Sequence, residues 1–150
     1  MDLKEKKEYI IGYISLISNK IVKFGDLIMP DITFRQWFLL MMISKMESKE
    51  KTINSIAEFV GSSRQNVRTM LNSLEKKNYV IISKSNIDTR ALDVKLTKKA
   101  YDYFDTNDEL ADNEINKLFS SLTVEEIEAL ENSLKKLLNA FLNNRGKEDE

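Results

Sequence analysis

Residues Ile53–Val80 read INSIAEFVGSSRQNVRTMLNSLEKKNYV and contain two short helical patterns separated by one glycine. The first pattern, INSIAEFV, ends at Gly61, a residue suited to the left-handed conformation that closes a helix. Ser62 or Ser63 can then cap a second helix, which ends near Asn78, another residue that tolerates positive φ. The stretch therefore predicts two helices joined by a tight turn.

The second helix of this pair has two chemically different sides. At about 100° per residue, one side gathers the apolar residues Val67, Met70, Leu71 and Leu74, which must pack inward. The other sides carry polar residues that suit nucleic acid, namely Ser62, Ser63, Arg64, Gln65, Asn66, Arg68, Thr69 and Asn72. Arg, Asn and Gln pair with base edges, whereas Ser, Thr and helix N-terminal amides suit phosphate oxygens. In the alternative interpretation, Gln65 forms a capping box with Ser62 and the other polar residues are only solvated.

Beyond Asn78 the periodicity changes from helix to strand. YVIISK is aromatic and β-branched, SNIDTR is polar turn material, and ALDVKL alternates apolar and polar residues, which predicts a two-stranded hairpin. Arg90 ends the polar turn, where an arginine can enter the minor groove of DNA, and Lys84 adds positive charge. Alternatively, Asp88 and Arg90 form an ion pair that only shapes the turn.

Helical patterns flank this central region on both sides. Apolar residues recur at spacings of three and four over residues 9–28, and Pro30 stops that helix. Thr33 and Gln36 form a capping box that starts the next helix. After the hairpin, a long helix covers residues 97–122, and a second capping box, TVEE, precedes the last helix. The predicted fold class is mainly α with a small β-hairpin wing, a winged helix-turn-helix flanked by long terminal helices.

Together these features resemble the MarR-type family of winged helix-turn-helix transcriptional regulators. INSIAEFVGSSRQNVRTMLNSLEKKNYV resembles the family's helix-turn-helix, and NIDTRALDVKLT, with its D-x-R pair, resembles the family's wing. The resemblance covers the whole chain in layout and residues 33–104 in detail. The sequence departs from the family at Asn78 and Ala100, where the family has Gly, although Asn keeps the left-handed turn accessible. By this resemblance, Arg90 is the wing arginine that contacts DNA.

The resemblance also implies how the chain is organised. It predicts one domain, residues 1–150, in which residues 33–99 form the DNA-binding lobe and residues 1–30 and 100–145 form dimerisation helices. In MarR-type proteins the terminal helices interlock into a two-fold dimer, and such symmetry predicts a palindromic DNA site. The wide apolar faces of these helices need a partner, which a second copy supplies. In the alternative, the two helices pack only on each other within one chain.

A small-molecule effector is a further expectation from the resemblance. Many MarR-type proteins release DNA when a small, often aromatic anion binds between the dimer helices and the DNA-binding lobe. Residues suited to lining such a cleft are Tyr13, Ile17, Phe34, Trp37 and Met41, because aromatic and Met side chains form adaptable apolar walls. The competing interpretation is that this stripe belongs to the core.

Positive charge is concentrated in the middle of the chain, although the formal net charge is only −1. Residues 60–99 hold nine basic and three acidic side chains, whereas residues 100–150 hold five basic and thirteen acidic ones. The local excess of positive charge suggests a polyanion partner for the middle segment.

Composition argues against several other functions. The chain has no Cys and no His, so it lacks thiolates, the commonest general base and the commonest zinc ligands. The peroxide-sensing and zinc-sensing branches of the family, which rely on those residues, are poor models. We expect no enzyme activity, metal site or cofactor. No apolar run reaches the roughly 18 residues of a membrane span, and MDLKEKKEYI lacks a signal-peptide pattern, so we expect a cytoplasmic protein.

The sequence thus predicts a homodimeric, sequence-specific regulator that binds duplex DNA. We expect a repressor of a palindromic operator, relieved by a small aromatic or anionic ligand. The alternative is a winged-helix module for protein contacts, in which the terminal helices dock a partner. Steep salt dependence combined with sequence preference would favour the DNA reader.

Overall fold

The computed structural model describes residues 1–145, which form six helices and one antiparallel hairpin. The helices are α1 (Leu3–Ile28), α2 (Phe34–Lys45), α3 (Ile53–Val60), α4 (Arg64–Lys76), α5 (Lys98–Phe119) and α6 (Val124–Arg145). The strands are β1 (Val80–Lys84) and β2 (Leu92–Leu96), with Val80 opposite Leu96 and Lys84 opposite Leu92. The predicted mainly α fold with a small hairpin is therefore confirmed.

The chain divides into two compact units, one covering Met1–Tyr103 and one beginning at Phe104. The first unit contains α1 to α4, the hairpin and the start of α5, and the second contains the remainder of α5 and α6. The predicted assignment of residues 33–99 to a DNA-binding lobe and of residues 1–30 and 100–145 to dimerisation stays a prediction.

Capping boxes set the starts of the first two helices. Thr33 Oγ1 accepts a hydrogen bond from the Gln36 amide at 3.2 Å, and Gln36 Oε1 accepts from the Thr33 amide at 3.1 Å. This box is the one predicted. Apolar periodicity alone predicted that the first helix starts at residue 9. In the structure, α1 starts at Leu3, because Asp2 and Glu5 form a capping box there.

The core of the first unit is built by α2, α3, α4 and the hairpin. Its most deeply buried aliphatic side chains are Leu39, Leu40, Ile43, Ile56, Val67, Leu71, Leu74, Val80 and Val94. The inward side predicted for α4 is confirmed for Val67, Leu71 and Leu74, whereas Met70 is only half-buried. Gln36 Nε2 also donates to Ser73 Oγ at 3.0 Å, which ties α2 to α4. These contacts fix the orientation of α4 and hence of its polar side.

Asp31, in the turn between α1 and α2, connects that turn to the end of α4 and the start of α5. Its carboxylate accepts from the Tyr79 hydroxyl at 2.6 Å and lies 3.8 and 3.6 Å from the ammonium groups of Lys77 and Lys99. The Tyr79 hydrogen bond holds the pKa of Asp31 below its ordinary value of 3.8 against partial desolvation, with help from both lysines. Burial is the main cause that raises the pKa of Tyr79, and the hydrogen bond to the Asp31 carboxylate raises it further. These contacts thus join the turn between α1 and α2 to the end of α4 and the start of α5. We call this cluster the Asp31 junction, and it consists of Asp31, Lys77, Tyr79 and Lys99.

Candidate nucleic-acid interface

The turn between α3 and α4 shapes the start of α4, the helix whose polar side is predicted to bind DNA. Gly61 has φ 69°, the left-handed conformation expected there. Ser63 is the N-cap of α4, since its Oγ accepts from the Asn66 amide at 3.1 Å, and Asn66 Nδ2 donates to Ser62 Oγ at 3.2 Å. The alternative capping box of Gln65 with Ser62 is therefore wrong, because Ser63 occupies the cap position. The Gln65 side chain is exposed.

Three arginines meet at a cleft between α4, the start of α3 and the wing, which is defined as residues 80–96. The cleft has a volume of about 250 Å³. Its lining residues are Thr52, Ile53, Asn54, Arg64, Arg68, Asp88, Arg90, Ala91 and Leu92. The lining residues include three arginines and one aspartate, and the positive end of the α4 dipole adds to the positive field. The arginine cleft, as we call it, suits a phosphate oxygen or an electronegative base edge.

The structure brings together only some of the residues predicted to bind DNA. Arg64, Arg68 and Arg90 share the arginine cleft, although Arg90 is more than twenty residues from the other two in sequence. Other predicted residues, namely Gln65, Asn72 and Lys84, are exposed outside its lining. Thr69 is exposed too, and its Oγ1 donates to the Gln65 carbonyl at 3.0 Å. The contribution of each of these residues to binding stays a prediction.

The wing turn is shaped by Asp88 through the backbone. Asp88 Oδ1 accepts from the backbone amide of Arg90 at 2.9 Å. Within residues 1–145, none of the salt bridges involves Asp88 or Arg90. The alternative ion pair between the two side chains is therefore wrong, and the Arg90 guanidinium is available to a ligand.

Sequence reasoning missed the residues that anchor the base of the wing. Ser85 is buried, and its hydroxyl donates to Glu50 Oε2, while the Asn86 amide donates to Glu50 Oε1 at 2.9 Å. On the next strand, the buried carboxylate of Asp93 accepts from the Lys51 amide at 2.9 Å. The contacts join residues more than 30 positions apart, so no local pattern could reveal them. Thr52 and Asn54, which also line the arginine cleft, were missed for the same reason.

The predicted effector residues have different surroundings. A groove of about 490 Å³ on α1 is lined by Glu8, Tyr9, Gly12, Tyr13 and Leu16, and Tyr13 is the one predicted effector residue among them. Phe34 and Trp37 contact each other, with ring centroids 5.5 Å apart. The effector site stays a prediction.

Metal-binding clusters and membrane-spanning helices are both absent from residues 1–145. No group of three or more acidic side chains is arranged to hold a metal ion within this part of the chain. None of the helices described is both long enough and apolar enough to cross a bilayer.

Comparison with known sequences identifies relatives of this chain. A family model described as MarR family matches residues 31–91. The transcriptional repressor MprA of Escherichia coli strain K12 is 30% identical over 103 residues, which cover 67% of this chain and 58% of MprA. The match thus spans less than two thirds of the length of that relative.

Solved structures share the fold. A mutant of Escherichia coli MarR in complex with operator DNA aligns with a TM-score of 0.78 and 23% identity, over 92% of this chain and 99% of that one. The organohalide-sensing transcriptional regulator RdhR, in its 2,4-dichlorophenol-bound form, aligns with a TM-score of 0.80 and 20% identity, over 98% of this chain and 89% of that one. At this level of identity, the likeness establishes the architecture.

Proposed function

Because this chain belongs to the MarR family, we propose that it is a transcriptional regulator that binds duplex DNA sequence-specifically as a homodimer. The observation that carries the proposal is the arginine cleft, where Arg64 and Arg68 of α4 meet Arg90 of the wing. A helix and a hairpin that present arginines on one surface match the way a winged helix-turn-helix contacts two neighbouring grooves. The family consists of regulators, in agreement with the expectation that the chain is not an enzyme.

In this proposal different polar residues contact the bases, the phosphates and the minor groove. Exposed Gln65 and Asn72 on α4 read base edges in the major groove, together with Arg68. The start of α4 binds phosphate through its free amides. Arg90 reaches the minor groove, where narrow A·T-rich segments concentrate negative potential, and Lys84 contacts the backbone.

Homodimerisation is proposed because the terminal helices expose large apolar side chains within one chain. On α1 these include Tyr9, Ile10, Ile11, Tyr13, Ile14, Leu16 and Ile17, and on α6 Leu130, Leu134, Leu138, Phe141 and Leu142. Apolar faces of this extent favour burial against a second copy. A two-fold dimer would require a palindromic operator.

The sign and control of regulation are proposed from what is known of two similar proteins. MprA is a repressor and RdhR holds a chlorinated phenol, so we propose repression that a small aromatic ligand relieves. Such a ligand shifts the equilibrium only if it binds the DNA-free state more tightly. The protein would act in the cytoplasm, where it meets DNA.

The test is selection of bound duplexes from a random double-stranded library at near-physiological salt. Wild type should enrich an inverted repeat with half-sites about one helical turn apart. An Arg68→Ala, Arg90→Ala double variant should lose the enrichment, whereas Arg35→Ala, Lys136→Ala, which removes the same charge outside the arginine cleft, should retain it. If wild type enriches nothing, the regulator proposal fails and a protein-docking role takes its place.

A further inference from the structure

We propose that Glu50 is a positioning residue for Arg90. Its carboxylate holds the tip of the wing, meaning residues 85–91, through Ser85 in the conformation that presents the Arg90 guanidinium to DNA. The role of Arg90 rests on the proposed DNA-binding function. The tether between Glu50 and the wing tip can be measured without DNA.

The tether begins with both carboxylate oxygens of Glu50. Oε2 accepts from the Ser85 hydroxyl, and Oε1 accepts from the Asn86 amide at 2.9 Å. Ser85 Oγ in turn accepts from the amides of Ile87 at 3.1 Å and Asp88 at 3.0 Å. One acidic side chain thus fixes three consecutive backbone amides, one directly and two through a buried hydroxyl.

The chain of hydrogen bonds continues to Arg90. Asp88 Oδ1 accepts from the Arg90 amide at 2.9 Å, and the Asp88 carbonyl accepts from the Ala91 amide at 2.9 Å. The Ala91 carbonyl closes the turn by accepting from the Ser85 amide at 3.0 Å. The backbone of Arg90 is therefore linked to Glu50 by an unbroken series of contacts.

Hydrogen bonds, and not apolar packing, must order this tip. Ile87, the apolar residue of the turn, is 79% exposed, whereas Ser85 is 4% exposed. A segment with little apolar burial keeps its conformation only while its polar groups are paired. Glu50 is the acceptor of the Ser85 hydroxyl, and leaving the hydroxyl of this buried residue without its partner is costly.

The backbone next to Glu50 is held in place by hydrogen bonds to β2. Its neighbour Lys51 donates its amide to Asp93 Oδ1 at 2.9 Å and accepts from the Val94 amide at 3.0 Å. These bonds fasten the loop before α3 to β2. The loop therefore serves as a support from which Glu50 can hold the tip.

The first experiment measures amide hydrogen exchange in the full chain without DNA, for Glu50→Ala and for Glu47→Ala. Glu47 is exposed in the same loop, so its replacement removes the same charge and serves as the matched control. Exchange at the amides of residues 86–88 and 90 should rise by about tenfold or more in Glu50→Ala and stay unchanged in Glu47→Ala. Glu50→Gln, which keeps one acceptor oxygen, should be intermediate. Unchanged exchange at the tip in Glu50→Ala, with core amides still protected, overturns the tether.

The second experiment is a double-mutant cycle on the duplex selected by wild type. Glu50→Ala should weaken binding about fivefold or more in the wild-type background, and in an Arg90→Ala background it should change binding only as much as Glu47→Ala does. Simple loss of negative charge would strengthen DNA binding, and Glu47→Ala measures that effect. Equal weakening in both backgrounds overturns the assignment to Arg90. A wild type that binds no duplex overturns the proposed function, whereas unchanged tip amides overturn the tether, so the two failures are distinguishable.

Discussion

At the scale of single residues, Asp88 has two effects that oppose each other. Its Oδ1 accepts from the Arg90 amide and so shapes the wing turn, yet it is the one carboxylate that lines the arginine cleft. Asp88→Asn keeps an acceptor oxygen and removes the negative charge, so DNA affinity should rise by a few fold at low salt. Asp88→Ala also removes the acceptor and should bind less tightly than Asp88→Asn. Both effects can be measured by fluorescence anisotropy with the selected duplex at two salt concentrations. Equal affinities for the two variants would show that the hydrogen bond from the Arg90 amide to Asp88 does not affect DNA binding.

Asp31 is a second residue whose environment makes a prediction, here about pH. Its pKa is lower in the folded protein than its ordinary value of 3.8, so the folded state favours its ionised form. The resulting stability is fully present above the ordinary pKa and is lost as pH falls through the lower folded pKa. Asp31→Asn preserves the shape and tolerates the left-handed backbone of φ 67°, yet cannot ionise.

The Asp31 prediction is tested by urea unfolding at about pH 7 and about pH 2.5. Asp31→Asn should be less stable than wild type at the higher pH, and the difference should shrink at the lower pH. Asp112→Asn, a change at an exposed aspartate, is the control and should show a smaller difference at both pH values. A difference between wild type and Asp31→Asn that does not vary with pH would contradict the charge-based explanation.

At the scale of elements, the last turns of α1 pack against Phe34 at the start of α2, and at Gly25 no side chain fits between them. A Cβ on Gly25 would lie 2.7 Å from Phe34 Cβ and would also clash with Phe34 Cδ2, a closeness that real Cβ atoms do not show. Gly25→Ala should therefore destabilise the protein by roughly 1–3 kcal/mol through overpacking. Gly12→Ala is the matched control, because a Cβ at Gly12 meets nothing within 4 Å in this chain and alanine favours the helix. Thermal unfolding of both variants measures this loss of stability. Equal melting temperatures would mean that α1 can move away from α2 without destabilising the protein.

Element starts and stops were predictable from sequence because their causes are local. The Thr33–Gln36 capping box and the left-handed Gly61 lie within three or four residues of the boundaries they set. The same holds for the buried side of α4, which follows from a 3.6-residue period. The Glu50–Ser85 contact has no such signal, because it joins residues 35 positions apart. The arginine cleft was predictable only in part. Its arginines were predicted as DNA-binding residues from their type, but their convergence depends on how the wing packs beside α4.

At the scale of the whole molecule, the separation of charge along the chain predicts how binding responds to salt. The basic segment 60–99 contains α4 and the wing, whereas residues 100–150 carry thirteen acidic side chains. Each phosphate neutralised by a basic residue releases counterions, so the logarithm of the affinity should fall linearly with that of salt concentration. Lys84→Ala should reduce the slope by roughly one per subunit while leaving sequence preference unchanged, whereas Arg68→Ala should alter the selected sequence. An identical sequence preference in Arg68→Ala would remove that residue from the reading surface.

Assembly is the remaining property of the whole molecule, and α6 offers the sharpest test of it. Leu138 is 60% exposed within one chain, on the same side of α6 as Leu134 and Phe141. If a second copy covers that side, Leu138→Glu would bury an unpaired charge and should convert a dimer into a chain of 17.4 kDa. Asn132→Glu adds the same charge on the opposite side of the helix and should leave the dimer intact.

Sedimentation velocity at micromolar concentration measures the mass, and DNA binding gives the consequence of losing the dimer. A monomeric Leu138→Glu should bind an inverted repeat about 100-fold more weakly than wild type, because each half-site then has to be bound independently, while its affinity for an isolated half-site should be unchanged. Leu138→Glu that remains dimeric would exclude this side of α6 from the interface. If the wild type instead has the mass of a single chain, the terminal helices bury their apolar faces only within that chain. The dimer and the palindromic operator expected from it would then both be refuted.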